Sequence, residues 1–359
     1  MVVFFVPLLL LWPLPLLGSG VVLSRSDQEA STHIWGLWLA LHERSPWSIH
    51  TDRVNYPEGF TWSLIDPANL PSFTLGFGLG GPALGYNLTL YFGFVLLGLA
   101  GWALGREVGG SPWLAALTAA ACPAMMSMPA RGMTEELGVA WVGLGLAAAL
   151  AFRRTGAPRS GLMVMLCAMM SAYSGPYNGL WCALLLGSVT VWTVFVLHRG
   201  RGLRLIGAGL GAVLFSLPLL WSWAGRGAAQ PGAAQGWGLP SLPSWSPVTA
   251  YRGGLLYGAD LLDVFVPVVV TGGEAVASHT AYLGVVTAFV AMVVVWRRRS
   301  MWPWAAGALV MALLSLGPYL FFAGRPVVAS GGIRTGPAAA LTILLSTTFL
   351  VTRWYRAGA

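Results

Sequence analysis

Charge is scarce in this chain: Asp, Glu, Lys and Arg make up only 9% of 359 residues, against roughly a quarter in a soluble domain. Lysine is missing altogether, so all twenty basic residues are arginine. Water is therefore not the main solvent for this protein. The net charge of +8 does not describe a nucleic-acid surface either, because the arginines fall in short clusters between apolar runs instead of gathering in one place. Cysteine is nearly absent too. Cys122, Cys167 and Cys182 lie inside apolar runs with no CxxC pair and no histidine at ligand spacing, which favours small buried hydrophobes over disulfides or metal ligands. No phosphate loop, nucleotide-binding glycine fingerprint, HExxH or GxSxG occurs in a suitable place.

What is present is apolar residue, 56% of the chain, with a mean hydropathy of +0.71 and no break in composition from end to end. A helix needs about twenty such residues to cross a hydrocarbon core of about 30 Å. Ten segments roughly qualify: 3–23, 84–105, 112–128, 136–152, 161–173, 177–197, 203–223, 280–296, 302–322 and 336–352. The pattern predicts an all-α polytopic integral membrane protein in one transmembrane domain, residues 1–359. The first segment contains Pro7, Pro13 and Pro15 and has no basic stretch before it, so it reads as a retained helix, with a cleaved signal peptide as the alternative.

Arginine sets the orientation. Arg106, the pair Arg153 and Arg154 with Arg159, then Arg199, Arg201 and Arg204, then Arg297 to Arg299, and finally Arg353 and Arg356 fall in alternate connections. Eleven of the twelve acids fall in the other set, leaving only Glu107 among the basic connections. Short cytoplasmic loops retain positive charge, so the basic connections are expected inside and two long loops, 24–83 and 224–279, outside, each with short interfacial helices.

Ionisable groups are nearly absent from the spans themselves, which argues against a proton-coupled carrier and moves the search for chemistry to the outer loops. Asp27 follows the first span directly. In a continuing helix Glu29 and His33 would share a face, with Trp35 and Trp38 suited to the interface. Tyr56-Pro57-Glu58-Gly59 and Asp66-Pro67-Ala68-Asn69 carry turn chemistry, in which Glu58 and Asp66 are either solvated or sugar- or cation-binding acids. In the turn Arg131-Gly132-Met133-Thr134-Glu135-Glu136, Thr134 suits a helix cap, with Glu135 and Glu136 favoured by the helix N-terminus. The rival reading pairs one of those glutamates with Asp27, to hold a divalent ion or to share acid and base roles. Arg334, near Gly331-Gly332, suits either a lipid phosphate or plain interfacial anchoring.

Three stretches together resemble the GT-C superfamily of membrane glycosyltransferases, in particular its bacterial YfhO-like predicted members. They are Asp27 to Trp38 with Tyr56-Pro57-Glu58-Gly59 and Gly85-Tyr86-Asn87-Leu88; Ala259-Asp260-Leu261-Leu262-Asp263 with Ala281-Tyr282-Leu283-Gly284-Val285; and Leu314-Ser315-Leu316-Gly317-Pro318. The resemblance implies sugar transfer from a polyprenyl-phosphate-linked donor on the extracytoplasmic face of a bacterial inner membrane. It places the catalytic acid at Asp27; the reading of the residues adds Glu135 or Glu136 as a second carboxylate and His33 as a supporting group. Glu29, Tyr56, Glu58, Asp66, Arg131 and Arg334 are the expected substrate-binding residues. A divalent metal ion is an open expectation, nucleic acid is not an expected partner, and a flippase or transporter of lipid-linked glycans is the non-enzymatic alternative. Members of the family continue beyond the point matching Arg334 with further helices, whereas this sequence ends at Ala359.

Overall fold

The computed structural model describes residues 20–24, 27–43, 48–51, 60–63, 66–120, 132, 134–197, 199–229, 321–322 and 325–326. The chain divides into two compact units, residues 1–238 and 239–359. In the second unit the described residues form one small antiparallel pair, β3 (Phe321–Phe322) with β4 (Arg325–Pro326). Of the expected ninth span, 302–322, only Phe321–Phe322 is described, as a strand, and residues 302–320 lie outside the described residues. The expected spans 280–296 and 336–352, nearly all of 3–23 and nearly all of the loop 224–279 lie outside the described residues.

The first unit is helical. Asp27 opens α1 (Asp27–His42), and a hairpin follows, β1 (Ser48–Thr51) with β2 (Phe60–Ser63), in which Ser48 faces Ser63 and Thr51 faces Phe60. Then come α2 (Leu70–Glu107), α3 (Pro112–Ala120), α4 (Val139–Thr155), α5 (Pro158–Tyr173), α6 (Pro176–Trp192) and α7 (Arg199–Ala229). Single turns of 3-10 helix, Pro67–Asn69 and Glu135–Gly138, lead into α2 and α4. Among the described residues four stretches are long and apolar enough to cross a membrane: Pro67–Glu107, Glu135–Thr155, Tyr177–Phe195 and Arg199–Trp221. This is a membrane protein.

Hydropathy locates α4, α6 and α7 to within a few residues, but α2 starts well before the expected position 84. Its helix is broken at Gly80 and Gly81, where Gly81 takes φ 84° just ahead of Pro82, a backbone state that a side chain would strain. The arm before the break, residues 70–80, is helical because it has something to pack against. Phe73 is buried with Leu37, Leu39 and Ala40 of α1, and Trp35 and Trp38, expected at the membrane interface, are half-buried against the same group. Residues 82–107 alone exceed the length of a crossing.

Beyond the break, Tyr86, Leu90, Phe94 and Leu97 of α2 pack with Leu137 and Ala140 and with Leu23 and Ala30 around α1. A second cluster joins Val142 and Phe152 of α4 to Val164 of α5, Cys182 and Leu186 of α6 and Leu205 of α7. The helix ends differ in charge. Asp66 precedes α2 and Arg106 closes it, and Glu135 precedes α4 while Arg153 and Arg154 close it. The 17 residues of α4 put its two ends about 26 Å apart, close to the thickness of a hydrocarbon core.

One polar residue inside α2 holds the chain that enters α1. The Asn87 side chain accepts the Leu23 amide (2.9 Å) and donates to the Val21 carbonyl (2.8 Å), clamping the backbone on both sides of Val22. Asn87 and Leu23 are both buried, so truncation leaves the Leu23 amide without this partner, at about 1–3 kcal/mol. Asn87→Ala is expected to lower the thermal unfolding midpoint of the detergent-purified protein clearly. An unchanged midpoint would mean that this strap contributes nothing to holding α1.

Candidate functional site

Residues far apart in sequence meet where α2 and α4 begin. His33 comes from the middle of α1, Asp66 from the turn before α2, and Thr134 with Glu135 from the turn before α4. Asp66 is 0% exposed, Thr134 1% and His33 5%, whereas the Glu135 side chain keeps 22% of its surface open. Burying ionised groups is costly unless each finds a partner, and these do.

Asp66 Oδ2 accepts hydrogen bonds from the Thr134 hydroxyl (2.6 Å) and the Asn69 amide (2.9 Å), and His33 Nδ1 lies 3.4 Å away. Thr134 spends its hydroxyl proton on Asp66, so its oxygen is free to accept from His33 Nδ1 at 3.3 Å. On the far side of the ring, His33 Nε2 sits 3.0 Å from Glu135 Oε2 as an ion pair without the alignment of a directed hydrogen bond. Acceptors flank both ring nitrogens, which requires a proton on each, and hence an imidazolium between two carboxylates. Asp66 Oδ1 is buried without a hydrogen-bond partner.

Electrostatics agree with the geometry. Burial alone would lower the His33 pKa, but the Asp66 and Glu135 carboxylates outweigh it and hold the ring well above its ordinary value. Burial alone would likewise raise Asp66, yet the charge and hydrogen bond of His33, with the Thr134 and Asn69 donors, hold it below the usual carboxylate range.

Local structure explains the aim of each group. Pro67 starts the 3-10 turn with its fixed φ, and Asp66 makes no capping bond there, leaving its carboxylate to point at His33. Thr134, expected to cap the following helix, makes no capping bond either. Asn178 of α6 donates to the Glu135 carbonyl (2.7 Å), and Gly138 passes so close to Ser174 that a Cβ would collide with it. The Tyr86 hydroxyl lies beside Ser24, within electrostatic reach of Glu135 and Asp66.

His33, Asp66 and Glu135 also have potential metal-ligand atoms within 4.8 Å of one another. One ion can engage only one nitrogen of the ring. At Nε2 it would have Glu135 as co-ligand and Asp66 as the carboxylate orienting the imidazole, a familiar outer-shell arrangement. The three side chains offer one donor atom each, so any ion held there would take its remaining ligands from outside the described residues.

Of the other residues singled out on the sequence, Asp27 stands first in α1, six residues and about 9 Å along the helix from His33. The side chains of Asp27 and Glu29 lie outside what the structure describes, as do Tyr56 and Glu58 in the β1–β2 connection, Arg131 and Arg334. His33 engages Asp66 and Glu135 across the fold, and Glu136 stands outside the cluster of three. Asp66 is no solvated turn acid: it is sealed in and acts on His33. Sequence reasoning missed Asn69, Asn87 and Asn178 as supports. The signal for Asn87 was a carboxamide in the interior of an apolar span, where unpaired polar groups are costly.

The pH dependence has a definite sign. His33, raised on folding, contributes stability that is complete below the ordinary imidazole pKa of about 6.5 and is lost as pH rises through its higher folded value. Asp66, lowered on folding, contributes stability that is present above about pH 4 and is lost as pH falls through its lower folded value. The wild-type unfolding midpoint is expected to decline on the alkaline side, and His33→Gln should flatten that decline. An equal alkaline slope in His33→Gln would show that the decline belongs to other groups. Comparison with known protein families, with curated proteins and with solved structures finds no match for this chain.

Proposed function

We propose that this protein is a membrane glycosyltransferase of the GT-C kind, transferring a sugar from a polyprenyl-phosphate-linked donor to an acceptor hydroxyl. On this reading about ten spans cross a bacterial inner membrane, with the site on the extracytoplasmic face. The observation that carries it is the buried Asp66, His33 and Glu135 chain at the end of α2 and α4 remote from their arginines. A lipid-linked donor keeps its tail in the bilayer, so its sugar and phosphate emerge at the membrane surface, and a cluster at the ends of two candidate spans is suited to meet them there.

Glu135 is the member of the chain that reaches solvent and is the natural base. It takes the proton of the acceptor hydroxyl as that oxygen bonds to the anomeric carbon, and the bond from that carbon to the lipid phosphate breaks with the electron pair leaving on phosphate. His33, 3.0 Å from Glu135, holds it in place, and Asp66 fixes the ring. Asp27, at the head of the same helix, is the acid the family resemblance favours. Arg131 is proposed as a further substrate-binding residue of this unit. Arg334, in the second unit, is a separate proposal for a lipid phosphate, whose two oxygens match a guanidinium fork.

A buried proton-holding chain also suits a proton-coupled carrier of lipid-linked glycans. The experiment that separates the readings is a transfer assay in proteoliposomes with a panel of polyprenyl-phosphate sugars. Glu135→Gln should lose about 10²- to 10⁴-fold in rate with insertion intact. Parental rates in Glu135→Gln with loss in Asp27→Asn would move the base to Asp27. Glycan movement across the bilayer without any transfer would replace the enzyme by the carrier. Orientation is checked with an impermeant thiol reagent, which should label a cysteine at Glu43 and spare one at Arg154 in intact cells. The reverse pattern would put the site on the wrong face for a lipid-linked donor.

A further inference from the structure

At the end of the bundle opposite His33, a groove of about 310 Å³ opens between α2, α4 and α5. We propose that it binds the headgroup of an anionic phospholipid. Its floor is made of small apolar residues, Ala147 and Ala148 among them, and its rim carries Trp102, Arg106, Arg159 and Ser160. The volume is on the order of ten water molecules, the scale of a phosphoglycerol group.

Charge decides what belongs there. Glu107 also lines the groove, but Arg154 holds it at 3.2 Å and cancels it locally. Arg106 and Arg159 have no carboxylate partner among the described residues, which leaves two unneutralised guanidinium groups over an apolar floor. Arg106 is also preset, with its guanidinium 4.9 Å above the Trp102 ring. Arg201 at this end is committed differently, donating to the Arg153 carbonyl at 2.7 Å. Two forked donors at the level of a membrane surface match a phosphodiester, and the alanine floor running into the spans continues as a seat for an acyl chain. A free phosphate would use the arginines and leave that floor unfilled.

The test is thermal unfolding of the full-length protein in neutral detergent with added phosphatidylglycerol, phosphatidylcholine of the same acyl chains, or inorganic phosphate. Phosphatidylglycerol should raise the midpoint by roughly 5 °C at saturation, and the other two should have little effect. Arg106→Gln with Arg159→Gln should abolish the response, while Arg199→Gln, at an exposed arginine outside the groove, should keep it. Ala148→Leu fills the floor and leaves both arginines, so it should weaken the response and guards against a double variant that fails to fold. An equal shift with phosphatidylcholine or with phosphate, no shift in the parent, or a full response in the double variant or in Ala148→Leu would overturn the proposal.

Discussion

An imidazolium held out of water has to be met by carboxylate charge, and bringing Asp66 and Glu135 to His33 governs how the first unit is assembled. Breaking one partner from a buried ion pair costs about 3–5 kcal/mol, because the remaining charge is stranded. The cost is avoided here only if α1, the turn before α2 and the turn before α4 arrive together. Each has its own tether: Asn87 ties the entry to α1, Pro67 sets the turn that aims Asp66, and Asn178 with the closely packed Gly138 fixes the backbone of Glu135. The supports come from α2, the turn before α4 and α6, so the polar cluster registers the placement of α1, α2, α4 and α6.

The hydrophobic packing complements this without being able to replace it. Clusters of leucine, alanine and aromatic residues hold α2 against α1 and α4 against α5 to α7, but such contacts tolerate sliding and repacking. In lipid they are also weak specifiers, since the surrounding chains are as apolar as the side chains. Directed bonds from Asn69, Asn87, Thr134 and Asn178 select one arrangement among several of similar packing.

Hydropathy made the spans 136–152, 177–197 and 203–223 legible because twenty apolar residues between charged connections have few other uses. It failed at the start of α2, where Gly78 to Pro82 reads as a stop. The residues before that break become helical through tertiary contact of Phe73 with α1, a term that no local pattern contains. The site divides in the same way. His33, Asp66 and Glu135 stood out individually as acids and a histidine in an uncharged background, but their partners did not. Local spacing joined Glu29 to His33 and assigned Thr134 to a helix cap. In the structure His33 reaches across about a hundred residues of chain to the Thr134 segment, and the Thr134 hydroxyl goes to Asp66. Periodicity reports which face a residue occupies and is silent on which distant face it meets.

Exposure along the chain of three then gives the cluster a direction. Asp66 is sealed and held by three donors, His33 is nearly sealed, and Glu135 alone retains access to the outside. Access from solvent therefore ends at Glu135, and the imidazolium behind it is balanced and oriented by the sealed Asp66. Reversing the order, with the best-solvated acid at the Nδ1 side, would expose the orienting carboxylate to water and loosen the ring. The sealed acid lies on the turn into α2 and the accessible one on the turn into α4, so the direction of the chain is set by which helix carries which acid. The alternation of arginine and acid along both helices preserves that assignment, because inverting either helix would carry its guanidinium groups to the end where His33 is already positive.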